Sequence, residues 1–155
     1  YQGTFPLPEA QMDRFALSFS LGYPNEAEEL NMLERLGAGI TPSTLQPCIT
    51  LEEVLSLRHQ CSQVAIETSL QRYILNLVRA TRTDDDITLG VSPRGTVALY
   101  RAVQALAFLE GRDYGIPDDA KYLAPFVLAH RLIPAGGHRG SVLVERLLDS
   151  VPVAG

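Results

Sequence analysis

The chain has 155 residues, with 13 lysines and arginines against 18 aspartates and glutamates, which gives a net charge of -5. A chain of this length buries about 68–70% of its unfolded surface on folding, so a core forms without disulfides or a metal. Because neutralising phosphates takes clustered lysine and arginine, the dispersed basic residues argue against a nucleic-acid partner. Cys48 and Cys61 form no CxxC motif, which indicates neither a disulfide framework nor a zinc site and favours a cytoplasmic protein.

The sequence predicts neither a membrane span nor a secretion signal, because it contains no long apolar run and does not open with a basic leader segment. The chain begins with Tyr1 rather than Met, and the turn-rich residues 1–10 predict a piece of a longer protein. Residues 9–14 are a candidate short helix, and residues 15–21 alternate apolar and polar side chains like a half-buried strand. Because one strand makes no sheet, we expect its partners upstream or on another molecule.

From Asn25 onward the sequence predicts helices. Asn25 with Glu28 and Thr50 with Glu53 have the spacing of capping boxes, so a helix should begin after each pair's first residue. The helix after Pro93 is apolar nearly all round, which predicts the central helix of a bundle. The predicted helices are 26–36, 51–63, 66–81, 93–111, 117–132 and 141–151, with an extended connector at 38–49.

The most informative local feature is the sequence GVSPRG at residues 90–95. Ser92 is a good N-cap and Pro93 suits the first helical position, so Arg94 falls in the first turn. A cation there opposes the helix dipole at a cost of about 0.3–1 kcal/mol. Free backbone N–H groups beside a guanidinium predict an anion site, with phosphate as the natural ligand. The alternative is that Arg94 is a solvated surface arginine.

Arg14, between the short helix and the predicted strand, is the second candidate, and its alternative role is an ion pair with Asp13 or Glu9. No Walker A or dinucleotide-binding pattern occurs in the chain. We expect no metal site. The three adjacent acids, Asp84, Asp85 and Asp86, could hold a divalent ion, but a solvated turn is the better interpretation. The histidines have no partner at ligand spacing; they are His59, His130 and His138. His130 and Arg131 are expected to end their helix.

Several long segments occur in a distinctive order: GTFPLPEAQMDRF (3–15), GYP (22–24), YILNLVRATR (73–82), GVSPRGTVALYRAVQALAFLEGRDY (90–114), VLAHRL (127–132) and SVPV (150–153). Taken together they resemble the C-terminal half of the MoxR family of AAA+ ATPases, and the resemblance covers essentially the whole chain. It implies a mainly α fold, a helical lid bundle of about five helices preceded by a short α/β remnant of the ATPase core. Residues 1–24 would be the end of the core, and residues 25–155 the lid.

The resemblance also implies the roles of the candidate residues. Arg14 would be the arginine finger, reaching the γ-phosphate of a nucleotide bound by a neighbouring subunit and stabilising charge on the transferring phosphoryl group. Arg94, with Ser92 and Pro93, would be the ATP-binding sensor 2 segment. Gly115 stands where the family more often has valine, which predicts a loosened turn before Pro117.

The whole protein, by the same resemblance, would use ATP and Mg²⁺, assemble with other subunits into a homo-oligomeric ring and partner a von Willebrand factor A domain protein. Its role would be chaperone-like, in maturing protein complexes or inserting metal cofactors. The Walker A and Walker B residues would lie upstream of Tyr1, so we expect this chain alone to bind no cofactor and hydrolyse no ATP. The competing hypothesis is a free-standing helical interaction module with an exposed apolar face and no nucleotide role.

Overall fold

The computed structural model of the chain describes residues 7–40 and 42–153. The first part of the predicted opening loop, residues 1–6, lies outside the described residues. The chain forms two compact units. The described part of the larger unit comprises residues 7–18 and 58–153, and that of the smaller comprises residues 19–57 without residue 41.

The described residues are mainly helical, as predicted. The helices are α1 (Glu9–Met12), α2 (Glu26–Gly37), α3 (Leu51–Ser62), α4 (Thr68–Ala80), α5 (Pro93–Leu109), α6 (Pro117–Leu128) and α7 (Gly140–Ser150). Two short strands, β1 (Ile87–Leu89) and β2 (Ile133–Pro134), accompany them. Single 3₁₀ turns are formed by Pro42–Thr44, within the predicted connector, and by Ala129–Arg131.

Both predicted capping boxes form, which explains where α2 and α3 begin. The side-chain oxygen of Asn25 accepts the backbone N–H of Glu28 at 3.0 Å, and the Glu28 carboxylate accepts that of Asn25 at 2.8 Å. Thr50 and Glu53 exchange the same two hydrogen bonds at 3.2 and 2.7 Å. Each box satisfies two backbone donors that a helix start leaves free.

The predicted strand at residues 15–21 is wrong for the described structure, in which these residues have no regular secondary structure. Their apolar side chains are exposed, with Phe19 at 64% and Leu21 at 91%. A strand is defined by ladder hydrogen bonds to a neighbour, and none of the described residues supplies a ladder here. The backbone N–H of Ser18 instead donates to the carbonyl of Phe126 at 2.9 Å.

The core of the larger unit lies among its four long helices. Helix α5 packs against α4 and α6, and α6 packs against α7. The helix predicted at residues 66–81 carries its buried side chains at the expected spacing, with Tyr73 and Leu77 fully buried. Other fully buried side chains include Leu99, Val103, Val127, Leu128 and Val144.

Helix α5 is less enclosed than its composition predicts. Val97 is 49% exposed and Leu109 is 80% exposed, whereas the polar Gln104 is only 7% exposed. The Gln104 amide donates to the carbonyls of Ser62 and Val64 at 3.2 and 2.9 Å. A buried amide is tolerated because these hydrogen bonds replace those it loses to water.

The sequence did not predict the small sheet, in which β1 pairs antiparallel with β2, Ile87 opposite Pro134 and Leu89 opposite Ile133. The helix predicted at residues 117–132 ends at Leu128 and tightens into the 3₁₀ turn before β2. Within the described ranges, none of the helices combines the length and apolar character needed to cross a membrane.

The smaller unit contains α2, the 3₁₀ turn at Pro42–Thr44 and the start of α3. None of its described side chains is buried. Many of its exposed side chains are large and apolar: Leu30, Met32, Leu33, Leu36, Ile40, Leu45, Ile49, Leu51, Val54 and Leu55.

Candidate functional site

The start of α5 has the geometry that its sequence predicts. Ser92 is the N-cap in an extended conformation, and Pro93 occupies the first turn. The Ser92 hydroxyl oxygen accepts the backbone N–H of Arg94 at 3.2 Å. Arg94 therefore lies in the first turn, but the free backbone donors expected beside it are not found at residues 93–95. Pro93 has no N–H, the N–H of Arg94 is capped by Ser92, and the N–H of Gly95 donates to the Ser92 carbonyl at 3.0 Å.

The Ser92 hydroxyl also contacts the chain segment that carries Arg14. It lies 3.0 and 2.9 Å from the two carboxylate oxygens of Asp13, to which it donates its proton while accepting from Arg94. One hydroxyl can do both, because it has one donor and two lone pairs. This hydrogen bond brings together the two candidate segments, which are distant in the sequence.

The side chain of Arg14 is exposed and, within residues 7–40 and 42–153, makes no hydrogen bond or ion pair. The alternative ion pair of Arg14 with Asp13 is not formed, because Asp13 binds Arg131 instead, with Oδ1 3.2 Å from Nε. Arg14 is thus held by its backbone while its guanidinium faces solvent.

Arg94 is also exposed, and its guanidinium has no partner among the side chains that the structure describes. Burial lowers the pKa of Arg131, the Asp13 carboxylate raises it, and the charge of Arg94 lowers it. An exposed guanidinium without a partner is available to an anionic ligand.

Arg131 is the residue of this site that sequence reasoning missed. Its side chain is 1% exposed, and the guanidinium donates to the backbone carbonyls of Asp13, Phe15, Ala16 and Val127. The bond to Val127 is a helix-end contact of the kind expected, because a cation satisfies the last carbonyls of α6. The contacts with residues 13–16 cross from one end of the chain to the other, and no local pattern signals them.

His130 borders the same network. Its Nε2 lies 3.0 Å from the carbonyl oxygen of Phe15 and 3.0 Å from Nη1 of Arg131. Burial lowers the pKa of His130, the Phe15 carbonyl raises it, and the Arg131 charge lowers it further. The net direction is downward, which favours a neutral imidazole.

The acids of the predicted turn bind a cation from the protein itself. Arg146 donates to both carboxylate oxygens of Asp84 at 2.7 and 2.8 Å and to Oδ2 of Asp86. The hydrogen bond from Arg146 holds the pKa of Asp86 below its ordinary value. Among the described residues, no group of three or more histidine, cysteine or acidic side chains could hold a metal ion.

Known proteins share this sequence and architecture. Residues 79–148 match the family described as the AAA lid domain. The chain is 42% identical, over 99% of its length, to the uncharacterised protein YeaC of Bacillus subtilis, and 33% identical, over 86%, to chaperone MoxR1 of Mycobacterium tuberculosis. A solved structure of an ATPase candidate from Cytophaga hutchinsonii superposes on 99% of the chain with a TM-score of 0.87 and 32% identity.

These similarities, together with the helical fold, identify the chain as an AAA+ protein that carries the lid domain. Within that class it belongs to the MoxR-type family. The chain spans 49% of YeaC, 37% of chaperone MoxR1 and 51% of the Cytophaga chain, so it corresponds to about half or less of each.

Proposed function

We propose that this chain is the lid and arginine-finger part of a MoxR-type ATPase that hydrolyses ATP in a homo-oligomeric ring. The observation that carries the proposal is the Asp13–Ser92 hydrogen bond, which joins the segment of Arg14 to the start of α5. Arg14 and Arg94 are both exposed at this junction, as two groups that act on bound phosphates must be. Arg14 stabilises charge on the γ-phosphoryl group held by a neighbouring subunit.

Arg94 is proposed to contact nucleotide phosphate within its own ring. Ser92 and Pro93 fix the first turn of α5, so that the exposed guanidinium of Arg94 stands at the N-terminal end of the helix. Arg94 fits an anion, because its guanidinium is exposed and has no partner among the described side chains. Mg²⁺ would be held by the Walker residues, which this chain does not contain.

The remaining proposals concern the whole protein. Residues 1–24 are proposed to complete the ATPase core and residues 25–155 to form the lid, in keeping with the lid match at residues 79–148. The whole protein would be a cytoplasmic chaperone-like factor for protein complexes or metal cofactor insertion, with a von Willebrand factor A domain partner. Similarity to a relative named a chaperone supports the coarser part of this role.

The finger assignment is tested by measuring ATP turnover and ATP binding of the full-length protein and its Arg14→Ala variant. We expect turnover to fall by about 10³-fold or more, the effect of arginine fingers in related reactions, with binding retained. The matched control is Arg101→Ala, which removes another exposed arginine from the larger unit. Normal turnover in Arg14→Ala would reject the assignment.

Arg94→Ala tests the second role. We expect a weaker affinity for ATP, or a changed ATP turnover because the lid position no longer depends on the bound nucleotide. Either result follows from the loss of a phosphate contact. Unchanged affinity and turnover would reject a phosphate role for Arg94, whatever the result for Arg14.

The interaction-module hypothesis keeps one supporting observation, the exposed apolar side chains of the smaller unit, such as Leu33 and Leu55. Exposed apolar groups in number indicate a surface that another protein covers. The two hypotheses differ in nucleotide dependence. If the full-length protein neither binds nor hydrolyses ATP, the interaction module replaces the ATPase proposal.

A further inference from the structure

The guanidinium of Arg131 is enclosed by the chain segment around Arg14. Nε donates to the Asp13 carboxylate, while Nη2 and Nη1 donate to the backbone carbonyls of residues 13, 15 and 16. These acceptors lie immediately before and after Arg14 in the sequence. The backbone on both sides of Arg14 is therefore tied to one buried side chain.

This arrangement requires arginine rather than a generic cation. A guanidinium presents five N–H donors in a planar fork, whereas a lysine ammonium presents three donors on a single nitrogen. All three nitrogens of Arg131 are used: Nε donates to the Asp13 carboxylate, Nη2 to the carbonyls of Asp13 and Phe15, and Nη1 to the carbonyls of Ala16 and Val127. A lysine at position 131 would keep the positive charge beside Asp13 but lose most of the contacts that flank Arg14.

Glycine at position 95 makes room for Arg131 at the first turn of α5. A Cβ atom there would lie 3.1 Å from Cδ of Arg131 and 2.2 Å from Cγ1 of Val91. The Cδ–Nε part of the Arg131 side chain thus lies against Gly95, the residue that follows Arg94. Arg131 therefore contacts the segment of Arg14 through its guanidinium and lies beside the start of α5 along its stem.

We propose that Arg131 is the positioning residue for Arg14, and that its buried fork, held with Asp13 and Ser92, makes the orientation of the finger depend on the position of α5. The inference rests on the proposed function for Arg14. Arg131 touches no reacting atom in this scheme. A displacement of about 1 Å at a phosphoryl-stabilising group costs about 10²-fold in rate, so loss of the fork should be visible in turnover.

The first test needs no nucleotide. Trypsin cleaves after Arg14, and access to that bond follows how often residues 13–16 open. In Arg131→Lys, which keeps a trypsin site at 131, we expect cleavage after Arg14 to rise by about tenfold or more, since charge-assisted hydrogen bonds are lost. Cleavage after the exposed Arg58 serves as the internal reference, and Arg101→Lys serves as the control variant. An unchanged rate at Arg14 would overturn the inference.

The second test is kinetic, on the full-length protein. Arg131→Lys should lower kcat by about 10- to 100-fold with KM for ATP nearly unchanged. In the Arg14→Ala background the same change should lower kcat little further, because Arg131 acts through Arg14. A general folding defect would instead lower both backgrounds equally. Asp13→Asn, which keeps an acceptor but removes the charge beside Arg131, provides a second variant.

Failure of the inference and failure of the proposed function give different results. If Arg14→Ala loses turnover while Arg131→Lys and Asp13→Asn keep it, or if the double variant shows fully additive losses, the positioning role is rejected and the finger stands. If Arg14→Ala keeps normal turnover, the proposed function is rejected. The trypsin result then reports only whether Arg131 holds residues 13–16.

Discussion

The hydroxyl oxygen of Ser92 lies 2.9 Å from Oδ2 of Asp13, although 79 positions separate the two residues in the chain. Ser92 is the N-cap of α5, and Asp13 directly precedes Arg14. The same hydroxyl therefore caps the start of α5 and holds the segment that carries Arg14. We therefore expect a substitution of Ser92 to affect both the start of α5 and the segment of Arg14.

We predict that Ser92→Ala lowers the free energy of unfolding by about 1–2 kcal/mol, because the helix loses its cap and Asp13 loses a donor. Ser92→Thr keeps the hydroxyl and should recover most of the loss. Urea denaturation of the 155-residue chain, followed by circular dichroism, measures both variants. A Ser92→Ala midpoint equal to wild type would show that the cap contributes nothing to stability.

The partly buried ion pair between Arg112 and Asp119 should contribute more to stability than the Ser92 cap. The guanidinium donates to both carboxylate oxygens at 2.9 and 2.7 Å, and Asp119 also accepts the backbone N–H of Ile116 at 2.9 Å. Its side chain is 6% exposed, whereas that of Arg112 is 22% exposed. We predict that Arg112→Ala lowers the midpoint of urea denaturation, because it leaves the buried Asp119 carboxylate without its cation, although water that reaches Arg112 screens part of the loss.

The matched control for Arg112→Ala is Lys121→Ala. Lys121 pairs with Asp118 at 3.5 Å on the surface, with side-chain exposures of 44% and 81%. Exposed pairs contribute about 0–1 kcal/mol, so the midpoint of denaturation should hardly move. Equal losses in the two variants would contradict the argument from burial.

The features that sequence predicted well are local. The capping boxes at Asn25 and Thr50 and the N-cap at Ser92 depend on residues two or three apart, and each forms as expected. Helix periodicity likewise indicated the buried face of α4. The β1–β2 pairing escaped prediction, because strands of three and two residues carry no periodic signal.

The candidate site likewise contains residues that the sequence could place and residues that it could not. Ser92, Pro93 and Arg94 could be placed from sequence, because an N-cap fixes the next two positions. The partner of Asp13 could not, since Arg131 lies 118 positions away and only the packing of α1 beside the Ala129–Arg131 turn brings them together. Composition also misjudged α5, in which the packing of neighbouring helices decides that Gln104 is buried and Leu109 is not.

Gly115 provides a prediction in which structure reverses the sequence expectation of a loosened turn. A Cβ atom there would lie 2.6 Å from Cδ1 of Ile66 and 2.8 Å from Cγ1 of Val103, so the turn is already closely packed. We predict that Gly115→Ala lowers the free energy of unfolding by about 1–2 kcal/mol through overpacking, and that Gly115→Val lowers it further. Denaturation midpoints measure both.

The matched control for Gly115 is Gly37→Ala, at the end of α2, where a Cβ atom meets nothing within 4 Å and the backbone needs no positive φ. That variant should be neutral or slightly stabilising, because alanine restricts the unfolded chain. A stabilised Gly115→Val variant would mean that the pocket formed by Ile66 and Val103 relaxes around the added side chain.

The lowered pKa of His130 predicts how the stability of the chain varies with pH. Burial, the largest cause, lowers its pKa below the ordinary 6.5 in the folded chain. The unfolded chain then binds more protons between the two values, so stability rises with pH in that window. The contribution is fully present above about pH 6.5 and is lost as pH falls through the lowered pKa. Protonated imidazole would also place a second donor against Nη1 of Arg131, 3.0 Å away.

We expect denaturation midpoints between pH 8 and pH 5 to decline in wild type and in His59→Gln, an exposed histidine, and to decline less in His130→Gln. An equally steep decline in His130→Gln would assign the pH dependence to other groups.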